Sequence, residues 1–153
     1  MNKKDTVVFD LDGTLLDTLE DLKNSVNYAM TQCGYPEHTL DEVRRYVGNG
    51  ILLLMQRAIP GGKDDPNFDK AFTLFKEHYG KHCNDTTKPY AGIMELLHTL
   101  KENNIKIAIV SNKADFAVKE LNAIYFKDLI PVAIGEKESE GIRKKPAPDT
   151  VIE

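Results

Sequence analysis

Cysteine is scarce in this chain of 153 residues, with only Cys33 and Cys83 present. Two thiols so far apart do not make the disulfide framework of a small secreted domain, and they read as reduced residues of a cytoplasmic protein. No apolar run approaches the roughly 20 residues that a membrane-spanning helix needs. The stretch Met1 to Asp5 is too short and too polar for the apolar part of a secretory signal. Internal repeats and low-complexity tracts are absent as well. Basic residues are not in excess: 20 Lys and Arg stand against 24 Asp and Glu, which argues against nucleic acid as a default partner. His38, His78, His82 and His98 show no metal-ligand spacing and read as surface or packing residues. The remainder is ordinary for a globular chain: 41% apolar residues supply a core and 29% charged residues a surface.

Against that background one stretch stands out, Thr6-Val7-Val8-Phe9-Asp10-Leu11-Asp12-Gly13-Thr14-Leu15-Leu16-Asp17. Val7, Val8 and Phe9 read as a strand apolar on both faces, which suits an internal strand of a helix-covered parallel sheet. Asp10 falls where that strand gives way to a loop, the edge at which ligands bind in open α/β sheets. Two acids two residues apart repel each other unless a cation or a donor network shares the space. Gly13 allows a tight turn whose amides point back to the strand end, and Thr14 adds a hydroxyl. Such a set suits an oxygen-rich anion held beside Mg2+, a hard cation that takes oxygen ligands. The plainer alternative is an acidic loop with an Asx-turn.

Further along, the apolar period changes from two to three and four. Leu19, Leu22, Val26 and Met30 share the face of a helix over about 18–33. Thr39 with Glu42 makes a capping box for a second helix. Gly48-Asn49-Gly50 then interrupts the chain, either as a simple helix breaker or as a turn whose amides can meet a carboxylate. A third helix runs from Ile51 to about Ile59, and Asp65-Pro66 opens a fourth that Gly80 ends. From Pro89 the α/β pattern resumes, with a helix marked by Ile93 and Leu97 and a second strand over Ile105–Val110. A helix over Ala114–Leu121 and a third strand over Leu129–Ile134 follow.

Asp10-Leu11-Asp12-Gly13-Thr14-Leu15-Leu16-Asp17 resembles the first motif, DxDGT(L/V)xD, of the haloacid dehalogenase-like superfamily of phosphatases and mutases. The resemblance implies that Asp10 is the nucleophile, taking the phosphoryl group as an aspartyl-phosphate. It makes Asp12 the acid for the leaving alcohol and then the base for water. Mg2+ would lie between the Asp10 carboxylate and the Asp12 backbone carbonyl, so both residues are the expected metal ligands. Ser111, after Ile107-Ala108-Ile109-Val110, stands where the second motif expects a hydroxyl on a phosphate oxygen; read alone, it could cap the next helix. Thr14 and Asn112 are expected to bind phosphate beside it. Lys145, in Arg143-Lys144-Lys145-Pro146-Ala147-Pro148-Asp149, resembles the third motif. It would supply a fixed cation, with Lys144 as rival and a solvated basic patch as the alternative. Nothing after Ile134 supplies the fourth motif, an acidic run after another strand; Glu136, Glu138 and Glu140 follow no further strand.

The expected architecture is α/β, a Rossmann-like three-layer parallel-sheet core, incomplete here, with an inserted all-helical cap. Residues 1–16 and 83–153 would form the core and 17–82 the cap, a lid over the strand ends. In the family's strand order the first strand is central. This chain then reads as about the first two-thirds of a typical member, with an edge on strand 6–10 open to self-association, weak magnesium binding and little turnover of its own. Tyr46-Val47-Gly48-Asn49-Gly50, Gln56-Arg57-Ala58-Ile59, Lys88-Pro89-Tyr90-Ala91-Gly92 and Ser111-Asn112-Lys113 look like stretches of phosphoglycolate phosphatases. Gly48, Asn49 and Gly50 are thus the expected cap contacts to a small phosphoester, and a monomer or homodimer fits equally. A sugar-phosphate mutase or an inorganic pyrophosphatase would share Asp10 and Asp12. A dehalogenase would not keep Asp12, and a phospho-receiver would not carry the helical insertion.

Overall fold

The structure is a computed structural model that describes residues 5–137 and 140–152. Residues 1–4, Glu138 and Glu153, on which parts of the sequence reading fell, lie outside the described residues. In chain order the elements are β1 (Thr6–Phe9), β2 (Leu16–Asp17), α1 (Leu19–Gln32), α2 (Leu40–Tyr46), α3 (Ile51–Ala58), a single 3-10 turn (Gly62–Asp64), α4 (Phe68–His82) and β3 (Lys88–Pro89). They continue with α5 (Ile93–Glu102), β4 (Lys106–Ala114), α6 (Asp115–Tyr125), β5 (Val132–Glu136) and α7 (Asp149–Ile152). The chain divides into two compact units, one made of the residues up to Asp17 and from Pro89 onward, the other of Thr18–Lys88.

The first unit is α/β. Its three strands are parallel in the order β1-β4-β5, with Val7 opposite Ile107, Val8 opposite Ala108, and Val110 opposite Ile134. β2 and β3 form a separate two-stranded sheet. Leu11, Leu15, Ile107 and Ile109 close one core with Leu97 of α5, Val118 and Leu121 of α6, and Phe126 and Ile130 after it. This core forms because the apolar positions of α5 and α6 recur three and four apart, so each helix turns one stripe to the sheet. The apolar run of β1 suits an internal strand, and the open edge expected on strand 6–10 of this chain is what the structure has. Among the described residues β1 pairs with β4 alone, and Val8 is 46% exposed.

The second unit is the inserted helical cap. Leu22, Val26, Ala29 and Met30 of α1 pack with Val43 of α2, Leu54 and Met55 of α3, and Ala71, Phe75 and Tyr79 of α4. The capping box of α2 is formed: Glu42 N–H donates to Thr39 Oγ1 at 3.2 Å, and Thr39 N–H to Glu42 Oε1 at 3.4 Å. Asp65-Pro66 makes a turn rather than the first turn of α4. The Asp65 carboxylate takes the Tyr35 hydroxyl at 2.5 Å and the Asn67 N–H at 2.9 Å, so the helix starts at Phe68. Gly80 does not end α4, which runs on to His82. The unit also keeps residues 83–88, which the sequence reading put with the core. The buried Asp21 carboxylate of α1 accepts from Thr86 and Thr87, backbone and hydroxyl alike, and binds that segment to the helices.

Candidate active site

The carboxyl ends of β1 and β4 carry the candidate chemistry. β1 stops at Phe9, and Asp10 is the first residue beyond it. Its Oδ1 accepts the Leu11 N–H at 2.8 Å and lies 3.1 Å from Lys145 Nζ. Among the described residues nothing bonds to the other oxygen, and the side chain is 46% exposed. Beyond it the chain folds into a tight turn: Leu15 and Leu16 N–H both donate to Leu11 O, and Gly13 N–H donates to Leu16 O. Gly13 sits at φ 75°, a left-handed conformation that costs glycine little and other residues more. Leu11, Leu15 and Leu16 are fully buried beneath this turn, which leaves Asp12 and Thr14 on its outer side.

Three features of the sequence deliver Lys145 to Asp10. Arg143 and Asp149 close the loop around it: Asp149 Oδ2 accepts from Arg143 N and Nε at 3.1 and 2.9 Å, and Oδ1 from Nη2 at 2.7 Å. This pairing holds the Asp149 carboxyl below its ordinary range and raises the Arg143 guanidinium. Asn112 then grips the Lys145 backbone from the sheet, its Oδ1 accepting the Lys145 N–H at 2.8 Å and its Nδ2 donating to Lys145 O at 3.2 Å. Finally Lys145 Nζ donates to Val110 O at 2.8 Å while facing Asp10. Asn112, expected on phosphate, is engaged with the lysine backbone.

β4 is longer than the apolar run that announced it. It continues to Ala114, with its register against β5 broken between Val110 and Ala114. Inside that irregular stretch Ser111 is buried and its Oγ accepts the Lys113 N–H at 3.1 Å. It does not cap α6, whose cap residue is Ala114 with no side-chain bond. Gly135 of β5 makes the close approach possible. A Cβ there would lie 2.5 Å from Lys113 O and 2.6 Å from Asp115 N, and its N–H donates to Asp115 Oδ1 at 2.8 Å.

Lys113 is the residue that the sequence reading passed over. Its side chain is only 2% exposed, yet its Nζ lies 3.0 Å from Asp12 Oδ1. A buried ammonium is costly unless paired, and here the partner is the second acid of the motif. The available signal was charge balance: two acids at one strand end call for two cations, and Lys145 supplies one. The site therefore holds two lysine–aspartate pairs, Lys145 with Asp10 and Lys113 with Asp12. Gly48, Asn49 and Gly50 belong to the helical cap. Gly48 and Gly50 have φ of 116° and 90°, and Arg57 fixes the turn through Tyr46 O at 2.8 Å and Asn49 Oδ1 at 3.1 Å.

Asp10 is the sort of donor Mg2+ takes, an exposed hard oxygen with room for retained waters. Among the described residues no cluster of three or more His, Cys, Asp or Glu could hold a metal, so Asp10 and the Asp12 carbonyl would form part of a ligand set. No helix among the described residues is long and apolar enough to cross a membrane.

Comparison with known proteins joins this geometry to a family. Residues 7–153 match the family model of the haloacid dehalogenase-like hydrolases. The chain is 36% identical over 113 residues to the phosphoglycolate phosphatase of Thiobacillus denitrificans, covering 71% of this chain and 50% of that protein. It is 33% identical over 147 residues to the phosphoglycolate phosphatase of Nitrosospira multiformis, covering 93% and 64%. A crystal structure from Lactobacillus delbrueckii subsp. bulgaricus, provisionally assigned as a phosphoglycolate phosphatase, superposes with a TM-score of 0.87 at 32% identity. That match covers 99% of this chain and 72% of the other. The chain thus spans about half to two-thirds of the length of these curated relatives. With its aspartate pair at the end of β1, its parallel sheet and its inserted helical cap, the chain belongs to the haloacid dehalogenase-like hydrolase family.

Proposed function

We propose that the protein is a Mg2+-dependent phosphatase of small phosphomonoesters, with 2-phosphoglycolate as substrate and Asp10 as nucleophile. One observation carries the reading: two aspartates at one strand end, each met by its own lysine, Asp10 by Lys145 at 3.1 Å and Asp12 by Lys113 at 3.0 Å. The curated relatives named phosphoglycolate phosphatase support the substrate.

In the first step the Asp10 oxygen that no described residue engages attacks phosphorus. The ester P–O bond breaks as the aspartyl-phosphate forms, and Asp12 gives its proton to the departing glycolate oxygen. In the second step Asp12 takes a proton from water, the resulting hydroxide attacks phosphorus, and phosphate leaves Asp10 as a free carboxylate. Lys145 holds charge on the phosphoryl oxygens, with its backbone fixed by Asn112. Ser111 and Thr14 orient those oxygens, and selection of the glycolate carboxylate is assigned to Gly48, Asn49 and Gly50. Asp10 and the Asp12 carbonyl would hold Mg2+, which would supply neutralising charge for the phosphoryl group. Cys33 and Cys83, which are not joined in a disulfide, fit a reducing, cytoplasmic setting.

The test is Mg2+-dependent phosphate release from 2-phosphoglycolate, p-nitrophenyl phosphate and inorganic pyrophosphate. It is run on this chain, its Asp10→Asn form, and a chain extended to the relatives' length. The expected result is a preference for phosphoglycolate, lost by on the order of 10^4-fold or more in Asp10→Asn. Hydrolysis of pyrophosphate alone, or turnover only with a sugar bisphosphate activator, would replace this reading by a pyrophosphatase or a mutase.

A further inference from the structure

We propose that Lys113 is a positioning residue that holds the Asp12 carboxylate where it meets the leaving-group oxygen, a role that deepens, and rests on, the phosphatase reading above. The geometry argues for direction rather than stability. The Lys113 side chain is 2% exposed and its ammonium points at Asp12 Oδ1. An apolar side chain of the same length would fill that space at lower desolvation cost. The cost of burying a lysine therefore needs a return elsewhere.

The lysine is itself anchored at its backbone. Its N–H is taken by Ser111 Oγ, and its carbonyl lies where Gly135 alone leaves room. Ala114, the next residue, is paired again, in a shifted register, with Glu136. These points fix the origin of the side chain on the sheet. Asp12 is on the outer side of a turn held by backbone bonds of Leu11, Gly13, Leu15 and Leu16, with its carboxylate 27% exposed. The ion pair makes one orientation of that carboxylate the favoured one. A proton donor must be within hydrogen-bond reach of the atom it serves, and a displacement of about 1 Å can cost on the order of 100-fold in rate.

The consequence is a dependence on the leaving group. Glycolate departs as an alkoxide and needs the proton; p-nitrophenolate departs without it. Lys113→Met is expected to lower kcat for phosphoglycolate by about 100-fold and for p-nitrophenyl phosphate by less than about 5-fold, with KM for both within about 2-fold. Lys113→Gln, which keeps a polar end, is read alongside in case the methionine variant fails to fold; the same split is expected. An equal loss on both esters would overturn the proposal, because it would make Lys113 a phosphate-binding or purely structural cation. Crystal structures of the chain and of the better-folded variant supply a second readout that needs no turnover. The Asp12 carboxylate is expected to leave its position by more than about 1 Å, the scale on which misplacement costs rate, while the β4 backbone stays put. If it does not move, positioning is refuted whatever the kinetics. If the wild-type protein hydrolyses neither ester, the phosphatase reading falls, and the Asp12 displacement still decides the positioning role.

Discussion

Asp21 in the helical cap and Asp10 in the α/β unit are both acids with nearby donors, and their surroundings are opposite. Asp21 is 1% exposed and accepts from Thr86 N, Thr86 Oγ1, Thr87 N and Thr87 Oγ1 at 2.7–3.0 Å, with both oxygens in use. Asp10 is half exposed, and among the described residues both its contacts, Leu11 N–H and Lys145 Nζ, fall on one oxygen. A saturated carboxylate is a fastening, because every lone pair that burial strips of water has been replaced. A carboxylate with a cation on one oxygen and none of its described neighbours on the other is prepared to meet something else. The contrast distinguishes a saturated acid from the one to which the proposed chemistry is assigned.

Removing each acid tests the contrast, and the largest effect is expected at Asp21. Asp21→Ala strands the donors of the buried Thr87 and frees those of the exposed Thr86 to water, so a loss of about 2 kcal/mol is expected, read as a lower urea midpoint by circular dichroism. A loss below about 1 kcal/mol would break the comparison. An intermediate effect comes from acid. His78 packs in the cap with Ser25 Oγ 2.8 Å from its Nδ1 and its ring stacked on Tyr28 and His82. Burial, and then the neighbouring His82, hold its imidazole below the ordinary value, with Asp85 opposing. The unfolded chain therefore binds the proton more readily. Stability is full above about pH 6.5 and declines as pH falls through the lowered folded value. Glu42, held low chiefly by His38, and Asp65, held low chiefly by Tyr35, act in the same direction only near and below the ordinary carboxylate range. Urea midpoints at pH 7.5 and 5.5 should thus differ in the wild type and converge in His78→Gln. The smallest effect is expected at Asp10: Asp10→Ala should move the midpoint by no more than about 0.5 kcal/mol, while activity disappears.

Much of the fold was legible because long periodic segments report their own environment. The apolar stripe of α1 and the Thr39–Glu42 box of α2 appear where their residues put them. The strand start before Asp10 and the apolar run leading to Ser111 did likewise. Short elements left no such trace: β2 and β3 are two residues each, too few to show a period. Gly80 misled because it lies on an exposed face of α4, where a helix tolerates glycine at about 1 kcal/mol. At the candidate site, motif spacing put forward Asp10, Asp12 and Lys145, and the structure brings Lys145 to Asp10. Lys113 was not legible, because a lysine just past a strand ordinarily faces water. Only the register break between Val110 and Ala114 and the room left by Gly135 turn it inward.

The central claim is that Asp10 receives the phosphoryl group, and trapping tests it most directly. The protein is incubated with 2-phosphoglycolate and Mg2+, then reduced with borohydride, which converts an aspartyl-phosphate to homoserine, and the peptides are read by mass spectrometry. Substrate-dependent homoserine at position 10, absent in Asp10→Asn, is the predicted result. Phosphate release with Asp10 unmodified, or homoserine at another aspartate, would contradict the account.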